Sequence, residues 1–398
     1  MKTINAHLSL ASVAAVGGLV LCELAAVAGQ DSGAMLWDPA IPFPAVGAVA
    51  TVPGVDYRLV HARTQEWQFL HEPRIAWHKG TLHVSFSHAP VKESEPAQEM
   101  HGRRSRDRGL TWSEPEVIAA ASPGEWRTET APMLSLRGTL WAFVGRYGGG
   151  AGYSKNSLGM TRYRLNSATN RFELVSPDVN PQGFIPFVQP QRLGNGNWII
   201  GGHTDKVRHA AVAISKGNDM SAWRVKKLET PQPAEYPETS LISRGKRVVA
   251  IIRHAGEPDQ SNGTLTALAA ESMDYGETFG PVRRSNLPMR NSKPFSGTLS
   301  TGQSYVLFNA ADGPVRNALM IAVTDRRSVL PFRRAWKVIE GSPDAISPEL
   351  AKLGESSQTH RWAYPEAVEK DGVLYVTFSQ NNRHCWVARI PVASLKVN

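Results

Sequence analysis

The segment PRIAWHKGTLHVSFSH, residues 73–88, contains the pattern that decides the fold: a proline, a short strand, a glycine turn and a second, apolar strand. Alternating apolar residues on both sides of a central turn predict a β-hairpin. Five further segments have the same order of features, and they begin at Pro132, Pro190, Pro237, Pro294 and Pro365. Internal repeats of this kind predict one structural unit repeated along the chain.

The spacing of these segments indicates a ring of β-sheets. Successive prolines are about 50 to 70 residues apart, which fits four strands per unit with their loops. Six separate sheets can bury their faces only against one another. We therefore predict an all-β fold, a six-bladed β-propeller of four-stranded antiparallel blades, in which residues near Tyr57–Trp67 complete the last blade. A β-sandwich or a pair of smaller β domains is the alternative.

The composition is typical of a folded protein with an acidic partner. Apolar residues make up 41% and charged residues 20% of the 398 residues, so the chain is too apolar to be disordered throughout. The formal net charge of +9 favours an acidic partner without identifying it. The sequence has no glycine-rich nucleotide motif and no cysteine-rich metal set. We expect a monomer with no cofactor, no metal and no nucleic-acid partner.

The first 28 residues have the features of a secretory signal peptide. Lys2 precedes an apolar stretch from Leu8 to Leu21, and Ala26-Val27-Ala28 matches a small-x-small cleavage site. An uncleaved membrane anchor is the alternative, but the apolar stretch is shorter than the ~20 residues that a bilayer span needs. We expect a secreted or periplasmic protein with no membrane span after cleavage.

This interpretation divides the chain into three parts. Residues 1–28 form the signal peptide, residues 29–56 a loose leader, and residues 57–398 a single propeller domain. Cleavage would remove Cys22 and leave Cys385 as the remaining cysteine, so we expect no internal disulfide.

A second repeated motif lies between the hairpins. Residues 105–112 read SRDRGLTW and residues 272–279 read SMDYGETF, so both have the form S-x-D-x-G-x-T followed by an aromatic residue. The aspartate can accept backbone N–H groups, the glycine permits a positive φ angle, and the aromatic ring can pack between strands. This chemistry predicts a structural turn rather than a catalytic site.

These turns resemble the Asp-boxes of the sialidase superfamily, and the resemblance covers nearly all of the chain after the signal peptide. Glu72-Pro73-Arg74-Ile75, followed by Gly80-Thr81-Leu82, is similar to the first-blade arginine motif of that family, with the proline before the arginine here. Tyr236-Pro237-Glu238 and the later Arg253 resemble the fourth-blade pattern. Arg316, in VRNALMIAVT, resembles the third arginine, and Ala363-Tyr364-Pro365-Glu366 resembles the last-blade motif.

The resemblance implies a glycosidase that removes a terminal acidic sugar from a glycan. It implies that Arg74, Arg253 and Arg316 bind the sugar carboxylate, and that Tyr364 is the nucleophile with Glu238 as its base. Sialidases use tyrosine in place of the usual carboxylate nucleophile.

The residue types lead to a related expectation. The start of the first strand and the end of the second strand of each hairpin meet at one face of a propeller. We therefore expect a common mouth of the central channel for Arg74, Glu238, Tyr364, His88, Arg146, His203 and Arg253. Guanidinium groups that meet there would repel one another unless an anion lies between them, and their fork binds a carboxylate bidentately.

The sequence departs from the sialidase pattern at the general acid. The family has an aspartate in the loop after the first hairpin, whereas residues 89–101 contain Glu93, Glu95 and Glu99 but no aspartate. We expect Glu95 or His88 to supply the proton.

The departure leaves two alternatives. One is a propeller polysaccharide lyase that acts on uronate-containing glycans with histidine and tyrosine as base and acid. The other is a non-catalytic propeller that binds acidic glycans.

Overall fold

The six-bladed propeller predicted from the hairpin repeat is confirmed. The structure is a computed structural model that describes residues 34–148, 157–204, 209–229, 237–255, 265–341 and 360–397. These residues form six antiparallel sheets, each built around one of the six hairpins. The signal peptide predicted over residues 1–28 lies outside the described residues.

The first three blades follow one another along the chain. Blade 1 consists of β2 (Phe69–His78), β3 (Thr81–Ala89), β4 (Glu99–Ser105) and β5 (Glu116–Ala119). Blade 2 consists of β6 (Trp126–Thr130), β7 (Met133–Leu136), β8 (Thr139–Gly148), β9 (Ser157–Asn166) and β10 (Arg171–Ser176). Blade 3 consists of β11 (Phe184–Pro186), β12 (Gln191–Arg192), β13 (Trp198–Thr204), β14 (His209–Lys216) and β15 (Asp219–Lys227).

The last three blades complete the ring. Blade 4 consists of β16 (Thr239–Arg244), β17 (Arg247–Ile252), β18 (Thr266–Ser272) and β19 (Arg283–Pro288). Blade 5 consists of β20 (Phe295–Thr298), β21 (Ser304–Asn309), β22 (Ala318–Thr324) and β23 (Phe332–Glu340). Blade 6 consists of β24 (Trp362–Lys370), β25 (Val373–Gln380), β26 (His384–Pro391) and the N-terminal β1 (Asp56–Ala62).

The ring is closed by strands from the two ends of the described chain. β1 pairs antiparallel with β26, with Tyr57 opposite Ala388 and Arg58 opposite Val387. Closure leaves each inner face covered by a neighbouring blade. Accordingly, a separate buried apolar cluster fills each of the six gaps between adjacent blades.

The segment before β1 is more closely packed than the loose leader expected over residues 29–56. From residue 34 onward it follows blades 4 and 5, with parallel bridges from Trp37 to Phe332 and from Thr51 to Lys337. Trp37 is only 3% exposed and packs in the cluster between these two blades. Its large ring anchors the segment, because burying an aromatic side chain is strongly favourable.

The described ranges contain two short 3₁₀ helices, Val46–Ala48 and Val392–Ser394. Within those ranges, no helix has both the length and the apolar character needed to cross a membrane.

The first strands of blades 1 and 6 carry the same irregularity. In β2 the residues Glu72 and Pro73 together lie opposite a single residue of β3, and in β24 Tyr364 and Pro365 do the same opposite β25. Glu72 and Tyr364 have φ angles of 51° and 57°. The proline has no N–H for the ladder, so a β-bulge accommodates it without the loss of a strand hydrogen bond. Each bulge redirects its strand where the site is formed.

Candidate functional site

A cavity of about 320 Å³ opens at the end of the propeller where the first strands of the blades begin. Its described lining includes four guanidinium groups and four carboxylates, those of Arg127, Arg253, Arg316, Arg361, Glu72, Glu93, Glu129 and Glu238. The remaining lining residues are aromatic, imidazole or amide side chains, those of His71, Tyr147, Phe187, His203, Tyr364 and Asn382. A volume of this size is at the lower end of the range for small-molecule sites.

Tyr364 is at the centre of a short hydrogen-bonded network. Its hydroxyl donates to Oε1 of Glu238 at 2.6 Å and accepts a hydrogen bond from Nη1 of Arg253 at 2.9 Å. The same Nη1 lies 2.7 and 2.8 Å from the two carboxylate oxygens of Glu238. The phenol oxygen therefore has a proton acceptor on one side and a fixed positive charge on the other.

The surroundings keep the phenol neutral. Burial raises the pKa of Tyr364 well above its ordinary value, and the negative charge of Glu238 raises it further, while Arg253 opposes the rise. The hydrogen bond to Glu238 gives the phenol proton an acceptor at 2.6 Å. A hydroxyl that donates to a carboxylate has the geometry that general-base activation of a nucleophile requires.

Arg316 lies beside Tyr364 and makes its hydrogen bonds to a backbone carbonyl. Its Nε and Nη2 donate to the carbonyl oxygen of Asn291, at 3.3 and 3.0 Å, and its guanidinium lies 5.6 Å from the Tyr364 ring centre. No carboxylate lies within ion-pair distance of Arg316 among the residues that the structure describes. Its charge is therefore available to an anion that enters the cavity.

Arg74 lies behind the cavity, whereas the sequence predicted it at the mouth. Its side chain is fully buried, and it pairs with Glu72 at 3.1 Å and with Glu366 at 3.5 Å. Arg74 also donates to the hydroxyl of Thr130 at 2.9 Å. The bulge at Glu72 and Pro73 explains the difference: it adds one residue to the strand, so Glu72 faces the cavity and Arg74 points between the blades.

Blade 6 has a matching buried charge. Glu366 follows the second bulge as Arg74 follows the first, and Lys293 of blade 5 lies 3.8 Å from its carboxylate. Burial lowers the pKa of Lys293 to about 7 and raises that of Glu366 to about 7. Lys293 donates to the carbonyl oxygen of Pro365 at 2.8 Å, which fixes the backbone next to Tyr364.

His88 and Arg146 also lie away from the cavity. His88 is covered by Trp67 and shares a 2.9 Å hydrogen bond with His101, and burial lowers its pKa to about 2. Arg146 stacks on Trp126 at 4.5 Å and donates to Tyr163 at 3.2 Å. Successive strand residues point to opposite sides, so Tyr147 takes the position on the cavity that Arg146 was expected to occupy.

The loop after the first hairpin presents a different glutamate from the expected one. Oε2 of Glu95 accepts the backbone N–H of Val91 at 3.1 Å, which closes the loop on itself. Glu93, two residues earlier, lines the cavity instead. The sequence predicted Glu95 rather than Glu93, because the loop geometry that decides which side chain faces inward cannot be derived from the residue types.

His203 lines the cavity as the sequence predicted, together with a partner that it did not identify. Its Nε2 lies 3.3 Å from the hydroxyl of Tyr147, and its ring packs 5.1 Å from that of Phe187. Glu238, Arg253, Arg316 and Tyr364 also line the cavity, so the structure brings five of the nine predicted site residues together.

Several lining residues were not identified from the sequence. Arg127 and Glu129 lie on β6, which forms the first strand of blade 2 together with β7 after a break at Pro132. Both residues therefore precede the proline that was used to locate the hairpin. The signal that could have found them is the charged R-x-E pattern at 127–129. Over the described ranges, no group of three or more metal-binding side chains forms a metal site.

Comparison with known sequences identifies one family. A model of the BNR repeat-like domain matches residues 80–376. None of the curated protein sequences compared with the chain is significantly similar to it.

Comparison with solved structures finds propellers of similar fold. A protein of unknown function from Dyadobacter fermentans superposes with a TM-score of 0.63 at 16% identity, over 85% of this chain and 100% of its own. A mutant of the NanB sialidase of Streptococcus pneumoniae superposes with a TM-score of 0.60 at 11% identity, over 85% of this chain and 71% of its own. Trypanosoma rangeli sialidase superposes with a TM-score of 0.59 at 13% identity, over 86% of this chain and 60% of its own. At these identities the likeness establishes the fold.

Proposed function

The chain belongs to the BNR repeat-like domain family, and from this premise we propose that it is an exported, retaining glycoside hydrolase of the sialidase type. Its proposed substrate is a glycan that ends in a sugar with a carboxylate. The observation that carries the proposal is the hydrogen-bonded network in which the Tyr364 oxygen lies 2.6 Å from Glu238 and 2.9 Å from Arg253.

The network suits a two-step displacement. In the first step the Tyr364 oxygen attacks the anomeric carbon while its proton passes to Glu238, and the bond to the leaving sugar breaks. A neutral phenol avoids the repulsion that a carboxylate nucleophile would meet from an anionic sugar. In the second step water attacks the same carbon and gives one proton to the carboxylate that protonated the leaving sugar. The bond from the sugar to Tyr364 breaks, Glu238 returns its proton to the phenol oxygen, and the sugar is released with retained configuration.

Arg316 is the proposed main partner of the substrate carboxylate. Two of its N–H groups hold the carbonyl of Asn291, which fixes the orientation of the guanidinium beside Tyr364. Arg253 adds positive charge but is shared with Glu238. Arg74, the third arginine expected from the resemblance, is proposed to act through Glu72, because it pairs with Glu72 from behind and Glu72 lines the cavity.

The leaving oxygen needs a proton donor, and Glu93 is the proposed one. It lines the cavity from the loop where the family has its acid, whereas Glu95 is engaged with the backbone of Val91. The cavity of about 320 Å³ is sized for one sugar ring rather than a chain, which favours removal of terminal residues.

The test is hydrolysis of aryl glycosides of acidic sugars by the wild-type chain and by matched tyrosine variants. Tyr364→Phe removes the nucleophile and is expected to lower kcat by roughly 10³-fold or more, as loss of a nucleophile does in other hydrolases. Tyr147→Phe, in the same cavity, is the control and should retain most of the activity. Equal activity of wild type and Tyr364→Phe would contradict the proposal.

The second candidate is eliminative cleavage of a uronate-containing glycan. The observation that favours it is the pair formed by Tyr147 and His203 on the cavity wall, since histidine and tyrosine are the base and acid of such a reaction. An eliminase leaves an unsaturated uronate that absorbs ultraviolet light, and its activity would depend on Tyr147 rather than Tyr364. The two tyrosine variants therefore separate the candidates.

A further inference from the structure

A second pocket lies at the opposite end of the propeller, between blades 1 and 2. It has a volume of about 210 Å³ and is formed by turns that connect strands, including β2–β3, β7–β8 and β9–β10. The cavity with Tyr364 is formed where the first strands begin, so the two sites face opposite ends of the ring. Nothing in the proposed hydrolysis uses this pocket.

The pocket is lined by positive and imidazole groups. Its described lining includes Lys79, Arg104, Arg106, His78 and His83 and contains no carboxylate. Arg106 occupies the variable second position of the S-x-D-x-G-x-T turn at 105–111, so this turn contributes a charge to the pocket as well as its own hydrogen bonds.

Most of this positive charge is uncompensated. Arg104 pairs with Glu116 at 2.9 Å, and within the described ranges no other carboxylate lies at ion-pair distance from Arg104, Arg106 or Lys79. A methyl group placed on Gly138 would lie 3.9 Å from Nζ of Lys79. The lysine side chain therefore lies against the β7–β8 turn.

One buried polar side chain in the pocket has an unused hydrogen-bonding atom. His83 is only 4% exposed, and its Nδ1 has no hydrogen-bond partner in the described structure. Burial lowers the pKa of His83 to about 3, and the nearby charges of Arg104 and His78 lower it in the same direction. The imidazole is therefore neutral near neutral pH. This atom is shielded from solvent, so the imidazole lines the pocket as a neutral wall and the charge of the pocket comes from Lys79, Arg104 and Arg106.

From these features we propose that this pocket binds a tetrahedral oxyanion, a sulfate or phosphate ester on a glycan. The charged donors come from blade 1, on the β2–β3 hairpin and on β4 with its following turn, and Thr139, Ser167 and Asn170 of blade 2 add uncharged polar groups to the lining, so polar groups of two blades line the site rather than a single planar fork. A tetrahedral anion presents oxygen atoms in several directions and matches this arrangement better than a planar carboxylate. The chain would then hold an anionic glycan at one end of the ring and cleave at the other.

The experiment is calorimetric titration of the full chain with glucosamine 6-sulfate, glucosamine 6-phosphate and glucuronic acid. We expect one or both esters to bind more tightly than glucuronic acid, and the comparison of the two identifies the preferred ester. The double variant Lys79→Glu with Arg106→Glu should weaken ester binding by about tenfold or more, because charged hydrogen bonds are lost and repulsion is added.

Two controls separate this pocket from net charge and from the main cavity. The double variant Lys216→Glu with Arg326→Glu replaces one lysine and one arginine with glutamate at exposed positions in blades 3 and 5, so its net charge equals that of the pocket variant. It should bind the esters as the wild type does. Tyr364→Phe should also retain ester binding, whatever its effect on hydrolysis. If the pocket variant does not fold, protection of residues 78–83 from hydrogen exchange on ester addition to the wild type replaces it.

Three results would overturn the proposal. They are the absence of ester binding, equal ester binding by wild type and the folded pocket variant, and glucuronic acid binding that is as tight as that of the esters and is weakened equally by the pocket variant. In the exchange experiment, unchanged protection of residues 78–83 would have the same meaning.

Discussion

At the residue scale, the cavity is organised by one arginine and one glutamate that share a tyrosine oxygen. Burying Arg253 and Glu238 is acceptable because each neutralises the other at 2.7 Å. The pair also gives the Tyr364 hydroxyl both an acceptor and a donor, so no polar atom of the phenol is left unsatisfied. The network therefore exists before any substrate binds.

The two loop glutamates allow a matched test of the proposed acid. Glu93→Gln removes a carboxylate from the cavity and should slow hydrolysis of a natural glycoside by about 10²- to 10⁴-fold. An activated aryl glycoside should be affected much less, since its leaving group needs little protonation. Steady-state kinetics with both substrates provides the measurement.

Glu95→Gln is the control for that experiment, because Glu95 contacts the backbone of Val91 rather than the cavity. It should leave both rates nearly unchanged. A larger loss of natural-substrate activity in Glu95→Gln than in Glu93→Gln would show that the loop changes conformation or that the acid is assigned to the wrong residue.

At the element scale, the hairpins were predictable from sequence and the bulges were not. Proline, glycine turn and apolar alternation are local signals, and all six segments that carry them form hairpins in the structure. A bulge shifts the alternation by one residue, and Pro73 does not by itself reveal the shift, because proline is also found at the start of a strand or in an edge strand. The sequence therefore located Arg74 in the right strand and on the wrong side of it.

The turns at 105–111 and 272–278 are elements whose role can be separated from catalysis. Asp274 accepts the backbone N–H and the hydroxyl of Thr278, at 2.9 and 2.6 Å, and the hydroxyl of Ser272 at 2.7 Å. Asp107 has equivalent bonds in blade 1. Each aspartate thus fastens a turn that joins the two outer strands of its blade.

Asp274→Ala should lower the free energy of unfolding by about 1 to 3 kcal/mol, because several hydrogen bonds to a charged group are lost in a partly exposed turn. Chemical denaturation gives this value. The kcat of the folded variant should match the wild type, since the turn lies away from the cavity. Loss of kcat with unchanged stability would contradict a structural role.

At the scale of the whole molecule, the ring buries several histidines in neutral form. Burial lowers the pKa of His61 to about 4 and that of His88 to about 2, and lowers the pKa of His71 well below its ordinary value. The unfolded chain takes up protons on these groups near pH 6.5, and the folded chain does not. Their joint effect is to reduce stability as the pH falls below about 6.5.

Two buried carboxyls act in the opposite direction. Burial raises the pKa of Glu366 to about 7 and that of Glu72 well above its ordinary value, with Arg74 opposing both rises. The folded chain therefore takes up these protons before the unfolded chain does, which partly offsets the histidines. A single-residue comparison isolates the histidine effect.

His88→Phe removes one group that takes up a proton in the unfolded chain but not in the folded chain. Between pH 6 and 4.5 the variant should lose stability less steeply than the wild type, by up to about 1.4 kcal/mol per pH unit. Urea unfolding at several pH values measures both slopes. Parallel slopes would mean that His88 is protonated in the folded chain and would contradict the buried, neutral state.

The most direct test of the account is identification of the residue that forms a covalent bond with the sugar. A fluorinated acidic sugar with a good leaving group slows the second step, and peptide mass spectrometry then locates the trapped sugar. The account predicts a single adduct on the peptide that contains Tyr364, and no adduct in Tyr364→Phe. Turnover of the natural glycoside with an adduct on any other residue, or with none, would contradict it.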